Sequence, residues 1–161
     1  MILITGGERS GKSNFAIELA MHKEKKAFIA TAEPFDDEMR SRIEKHKKDR
    51  KENFDTFEEP LYLWKTLKMT VHYDTCVIDC MTTWIGNLMY HDVDSKEETE
   101  KFLANLNGNE IIVSNEVGMG IISVDKMTRT YVETLGRLNQ EIAKIANEVF
   151  FMIAGIPLKI K

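Results

Sequence analysis

The chain has 161 residues, 43% hydrophobic and 30% charged, with Lys+Arg 22 against Asp+Glu 26 for a formal net charge of −4. This describes one soluble globular domain with a sizeable core, neither disordered nor membrane-embedded, since no stretch approaches the roughly 18 consecutive apolar residues of a spanning helix. An acidic balance gives no global attraction for nucleic acid, so any phosphate must be gripped locally.

The first residues, MILITG, lack a charged region and carry too short an apolar run for a signal peptide, which predicts a cytoplasmic protein. The same run predicts a strand over residues 2–5, and helical periodicity follows over 12–23. Between them Gly6-Gly7-Glu8-Arg9-Ser10-Gly11-Lys12-Ser13 matches G-x-x-x-x-G-K-[ST] in the strand-to-helix setting that a phosphate loop requires. Glycines let successive N–H groups curl toward a phosphate and the new helix adds its positive end. Lys12 then reaches the outer phosphates and Ser13 can ligate magnesium.

A second strand is expected over 27–31 and a helix over 36–48. On that helix His46 shares a stripe with Ile43 and Met39 and so faces the body of the protein. Lys45, Lys47, Lys48 and Arg50 surround it, and neighbouring cations disfavour imidazolium, which keeps a ring available as a nucleophile. The competing reading is a structural histidine at a packing interface. A short strand over 54–58 and a helix over 61–69 follow.

The next strand, 76–79, ends in Asp79, the residue type that completes a magnesium shell beside a phosphate loop, although an acid there also suits a helix cap. Cys76 and Cys80 flank this strand about 13 Å apart, too far for a disulfide, and read as buried thiols. Helices over 82–89 and 96–106 lead to a strand over 111–114. The polar, Gly-rich turn Asn115-Glu116-Val117-Gly118-Met119-Gly120 stands where an open parallel sheet binds ligands. The longest helix, 127–145, carries Met127, Tyr131, Leu135, Leu138, Ile142 and Ile145 on one face, and strands over 149–153 and 158–161 close the chain. Strands alternating with helices predict a single α/β domain over 1–161, a P-loop NTPase-like three-layer fold with a mostly parallel central sheet.

Five segments together, TGGERSGKS (5–13), IATAEPFDDEMRSRIEKHKKDR (29–50), DCMTTWIGNL (79–88), NEVGMGI (115–121) and GIPLKIK (155–161), resemble the bifunctional adenosylcobinamide kinase / adenosylcobinamide-phosphate guanylyltransferase family of cobalamin biosynthesis. The resemblance implies transfer of the γ-phosphate of ATP or GTP to adenosylcobinamide, then attachment of GMP through a guanylylated histidine that falls on His46. It implies nucleotide contacts at Gly6, Gly7, Glu8, Arg9, Ser10, Gly11, Lys12 and Ser13, at Thr31, Ala32 and Glu33, at Lys47, Lys48, Asp49 and Arg50, and at Glu58 and Asp79. Mg2+ would be held by Ser13 and Asp79, and the assembly implied is a homotrimer. The segment 90–109 is shorter than in the family, Phe54 replaces a usual tryptophan, and 123–126 lacks a usual proline.

Two other readings compete. A P-loop kinase of another small molecule would leave His46 structural and form no covalent GMP intermediate. A nucleotide-dependent switch would carry a partner-binding surface, of which the sequence offers no strong sign.

Overall fold

Aliphatic and β-branched runs without polar alternation suit strands covered on both faces, and those runs form the middle of a seven-stranded sheet. The computed structural model describes residues 1–34, 37 and 53–161. In chain order these form β1 (Ile2–Gly6), α1 (Lys12–Ala20), β2 (Lys26–Ala30), β3 (Asp55–Glu58), α2 (Leu63–Met69), β4 (Thr75–Asp79), α3 (Met81–Tyr90), α4 (Ser95–Ala104), β5 (Glu110–Val113), α5 (Lys126–Ile145), β6 (Glu148–Ile153) and β7 (Ile156–Lys159). The helix expected over 36–48 lies, except for Asp37, outside the described residues. The strands run in the order β3-β2-β4-β5-β1-β6-β7, parallel throughout apart from β7, which pairs antiparallel with β6.

Successive strand residues point to opposite faces. Leu3, Ile78 and Ile112 therefore join one cluster with Leu63, Trp84, Phe102, Leu135 and Ile142 from α2, α3, α4 and α5. Their neighbours Ile4, Val77 and Val113 join Ala16 and Ala20 of α1, with Phe28 and Phe54, in the other. Helices on both faces of a parallel sheet make the expected three layers.

Two expectations are corrected. The apolar stripe of the long helix is buried only in its middle, at Leu135, Leu138 and Ile142, while Met127 is 70% and Ile145 54% exposed. A helix of 20 residues runs about 30 Å, whereas five-residue strands run about 17 Å, so both ends overhang the sheet. The last strand starts at Ile156 rather than after Pro157. Ala154 and Gly155, at φ 51 and 83, make a two-residue turn that lets pairing resume at once. Pro157 is tolerated because β7 is the last strand at this edge among the described residues, with no further strand there to need its missing N–H.

Gly6 makes the closest approach. A Cβ there would lie 2.6 Å from the Met152 carbonyl oxygen, and its φ of 144 also disfavours a side chain. Gly6→Ala is expected to lower stability by about 3 kcal/mol. Gly7→Ala, where a Cβ meets nothing within 4 Å, should stay within about 0.5 kcal/mol of the parent. Urea unfolding of the two variants checks the contrast.

Candidate active site

Sheet register brings the site together. Glu58 pairs with Ala30, Ala30 with Asp79, Asp79 with Val113, and Val113 with Ile4, so these residues form one row across five adjacent strands. Everything that follows them in sequence leaves at the same carboxyl edge: the phosphate loop, Thr31 to Glu33, and the turn after β5. Asp79 is one intervening strand from β1, roughly 10 Å across the sheet.

At that edge α1 begins without a side-chain cap. Gly11, with φ 96, occupies the N-cap position, and the first N–H groups of the helix remain available to an anion. The Gly155 N–H donates to the Ser10 carbonyl at 3.0 Å, and a Cβ on Gly11 would meet the Gly155 Cα at 3.3 Å. The β6–β7 turn thus braces the loop. Lys12 is 7% exposed, and its ammonium donates to the Gly7 carbonyl at 2.5 Å. Burial pulls its pKa below the usual lysine value, opposed by Cys80, Asp79 and Glu8, which favour the charged form. The result is a cation with little water around it, set at the helix start beside two carboxylates that favour its charged form. Ser13, one residue on, is half-buried at the same helix start.

The segment after β2 is stitched to the end of β4. The Thr31 hydroxyl donates to the Cys80 carbonyl at 2.9 Å and accepts from the Cys80 N–H at 2.8 Å, while the Thr31 N–H donates to the Asp79 carbonyl at 3.1 Å. Asn87 of α3, 1% exposed, donates to the carbonyls of Thr31 at 2.7 Å and Pro60 at 3.1 Å. His91, just past α3, places Nε2 2.8 Å from Oε2 of Glu33. Ala32 is half-buried between these anchors.

The turn after β5 is fixed in the same manner. Asn139 of α5 accepts from the Ser114 hydroxyl at 2.6 Å and donates to the Asn115 carbonyl at 3.0 Å. The Asn115 N–H donates to the Thr82 hydroxyl at 2.9 Å, and the Glu116 N–H to the Gly6 carbonyl at 3.2 Å. This last bond ties the turn to the phosphate loop.

The fold therefore collects Gly6 to Ser13, Thr31 to Glu33, Glu58 and Asp79 at one edge. His46, Lys47, Lys48, Asp49 and Arg50 lie outside the described residues. Cys76 is buried, its thiol pushed up to about 12 chiefly by desolvation; Cys80 is half-buried, with Sγ 3.2 Å from the Thr83 hydroxyl. Asn87, His91 and Asn139 were not singled out by the sequence. A signal existed for two of them: Asn87 interrupts an apolar helix, and Asn139 follows Leu138 inside the buried stripe.

Ser13 and Asp79 offer a hydroxyl and a carboxylate, hard oxygen donors that suit magnesium. Among the described residues no group of three or more His, Cys, Asp or Glu side chains is gathered to hold a metal. One or two protein ligands completed by phosphate oxygens are the arrangement magnesium ordinarily takes.

A model of the family described as cobinamide kinase / cobinamide phosphate guanyltransferase matches residues 2–160. The bifunctional adenosylcobalamin biosynthesis protein CobP of Pseudomonas aeruginosa is 39% identical over 166 residues, covering 99% of this chain and 96% of its own length. The bifunctional adenosylcobalamin biosynthesis protein CobU of Escherichia coli is 35% identical over 184 residues, covering 100% and 99%. A KaiC-like protein from Pyrococcus horikoshii is a more distant structural match, with a TM-score of 0.45 at 15% identity over 93% of this chain and 69% of that one.

Thr31→Val keeps the shape of the side chain but strands the Cys80 N–H. The expected loss is about 2 kcal/mol of stability, and the tie between residue 31 and Cys80 is reduced to the backbone bond to Asp79. Urea unfolding gives the first effect. Titration with GTP gives the second, as affinity weaker than the parent's.

Proposed function

Because the chain belongs to the cobinamide kinase / cobinamide phosphate guanyltransferase family, we propose that it carries out both reactions at this one sheet edge. It phosphorylates adenosylcobinamide with ATP or GTP, then attaches GMP from GTP to give adenosyl-GDP-cobinamide. The observation that carries the reading is the register row, which aligns the ends of β1, β2, β3 and β4 behind a phosphate loop with a desolvated lysine.

In the kinase step the acceptor hydroxyl oxygen forms a bond to the γ-phosphorus as the bond to the β-phosphate oxygen breaks, and the hydroxyl proton is released. Lys12 and the N–H groups of the loop hold the outer phosphates in line and offset the charge that moves to the leaving oxygen. Ser13 and Asp79 would hold magnesium, which when bound neutralises phosphate charge.

In the guanylyl step a ring nitrogen of neutral His46 bonds to the α-phosphorus of GTP, the bond to the pyrophosphate oxygen breaks, and a phosphoramidate results. Cobinamide phosphate then displaces the histidine, which departs with its electron pair restored. Thr31, Ala32, Glu33 and Glu58 line the nucleotide, and Lys47, Lys48, Asp49 and Arg50 flank the nucleophile. Lys47, Lys48 and Arg50 supply the positive charge that stabilises departing pyrophosphate.

We also propose a homotrimer in the cytoplasm. The exposed apolar side chains Ile121, Ile122 and Val124 on one loop, and Ile153, Ile156 and Leu158 along β6 and β7, support burial against other subunits. The two unpaired cysteines suit a reducing compartment. The partners are small molecules, not nucleic acid.

Incubation with magnesium and GTP labelled at the α- or the γ-phosphate, followed by denaturing separation, tests the reading. Acid-labile, base-stable label is expected only from α-labelled GTP, and none with His46→Ala. Lys12→Ala is expected to lower both reactions by about 100-fold or more. Absence of covalent label under conditions where GTP binds would move the assignment to a simple kinase of a small molecule.

A further inference from the structure

Glu33 lies three residues past the end of β2, and its carboxylate is turned onto α3. The bond between His91 Nε2 and Glu33 Oε2, at 2.8 Å, joins side chains only 37% and 23% exposed. His91 is itself held: its N–H donates to the Asn87 carbonyl at 2.9 Å, and the Tyr90 ring stands edge-on to the imidazole with centroids 5.1 Å apart. One turn back, Asn87 grips the Thr31 carbonyl. The segment is thus fastened to α3 at Thr31 through a buried amide and at Glu33 through an imidazole at the protein surface.

We propose that His91 is a positioning residue for the nucleotide, holding Glu33 and with it the backbone of residues 31–33 in the geometry that receives GTP. The inference rests on the reading above that this connection touches the nucleotide. Asn87 fixes Thr31 whether or not His91 is present, because its two acceptors are backbone carbonyls. Among the described residues the Glu33 side chain is held by His91 alone, and a carboxylate released to water would swing among its rotamers. His91 therefore acts on the binding of nucleotide and leaves untouched the chemistry at Lys12 and Asp79.

The test is a set of four proteins, wild type, His91→Ala, His91→Gln and Glu33→Ala, with the double variant completing a cycle. Steady-state kinase assays give KM for GTP and kcat separately. His91→Ala should raise KM about fivefold, the worth of one such hydrogen bond, with kcat within about twofold of wild type. His91→Gln, whose amide can still donate to Glu33, should restore KM. In the Glu33→Ala background, His91→Ala should add nothing further.

A Glu33→Ala enzyme with raised KM beside an unaffected His91→Ala enzyme overturns the proposal alone. So does a loss that falls on kcat, or a His91→Ala effect on KM that adds in full to that of Glu33→Ala in the double variant. A Glu33→Ala enzyme with unchanged KM overturns the reading of the connection as a nucleotide contact, and the proposal with it.

Discussion

The phosphate loop holds its shape because its backbone is pressed against β6 and the turn after it, at Gly6 more closely than a side chain permits and at Gly11 tightly. Gly6 lies against the Met152 carbonyl and Gly11 against Gly155, so β1, the loop and the β6–β7 turn form one packed unit. The consequence reaches past the loop. With β6 drawn in against Gly6, the Gly155 N–H meets the Ser10 carbonyl, and the Glu116 N–H meets the Gly6 carbonyl from the other side. The anion-binding helix start is therefore held between its two flanking strands, β5 and β6, before any nucleotide arrives.

The apolar core cannot supply this definition at the sheet edge, because hydrophobic contact is non-directional. Beyond the strands the chain is fixed by side chains bonded to backbone: Thr31 to Cys80, Asn87 to Thr31 and Pro60, Asn139 to Asn115. Glu59 does the same for the start of α2, accepting from the N–H groups of Leu61 and Tyr62. Trp84 adds a bond from its indole N–H to the Leu61 carbonyl while its ring packs on Phe102. Each of these groups would be costly to bury alone. Satisfied together they select one arrangement of four loops.

The fold was legible because its signals are local. The strands announce themselves as unalternated aliphatic runs, and the G-x-x-x-x-G-K-S pattern needs only the strand before it and the helix after it. Asp79 could be named from the end of a strand, and the structure sets it level with Ile4 through Val113. What escaped the sequence depends on pairings remote along the chain. His91 and Glu33 are 58 residues apart, and no periodicity links them. Asn139 sits within the buried stripe of α5, but nothing local names Ser114, 25 residues away, as its partner. The exposure of Met127 required knowing that the helix outruns the strands.

Charge completes the argument. With 22 cationic residues against 26 acidic ones, the molecule as a whole repels a triphosphate, and attraction has to be built where the phosphates sit. The start of α1 and the buried Lys12 are the positive groups at this edge, and Cys80, Asp79 and Glu8 favour the charged form of the lysine against its burial. The same carboxylates that favour the charged lysine oppose a bare polyanion. The positive end of α1 and the buried ammonium thus face carboxylates across the same sheet edge, and the local field is a balance of the two signs and not a uniformly cationic patch.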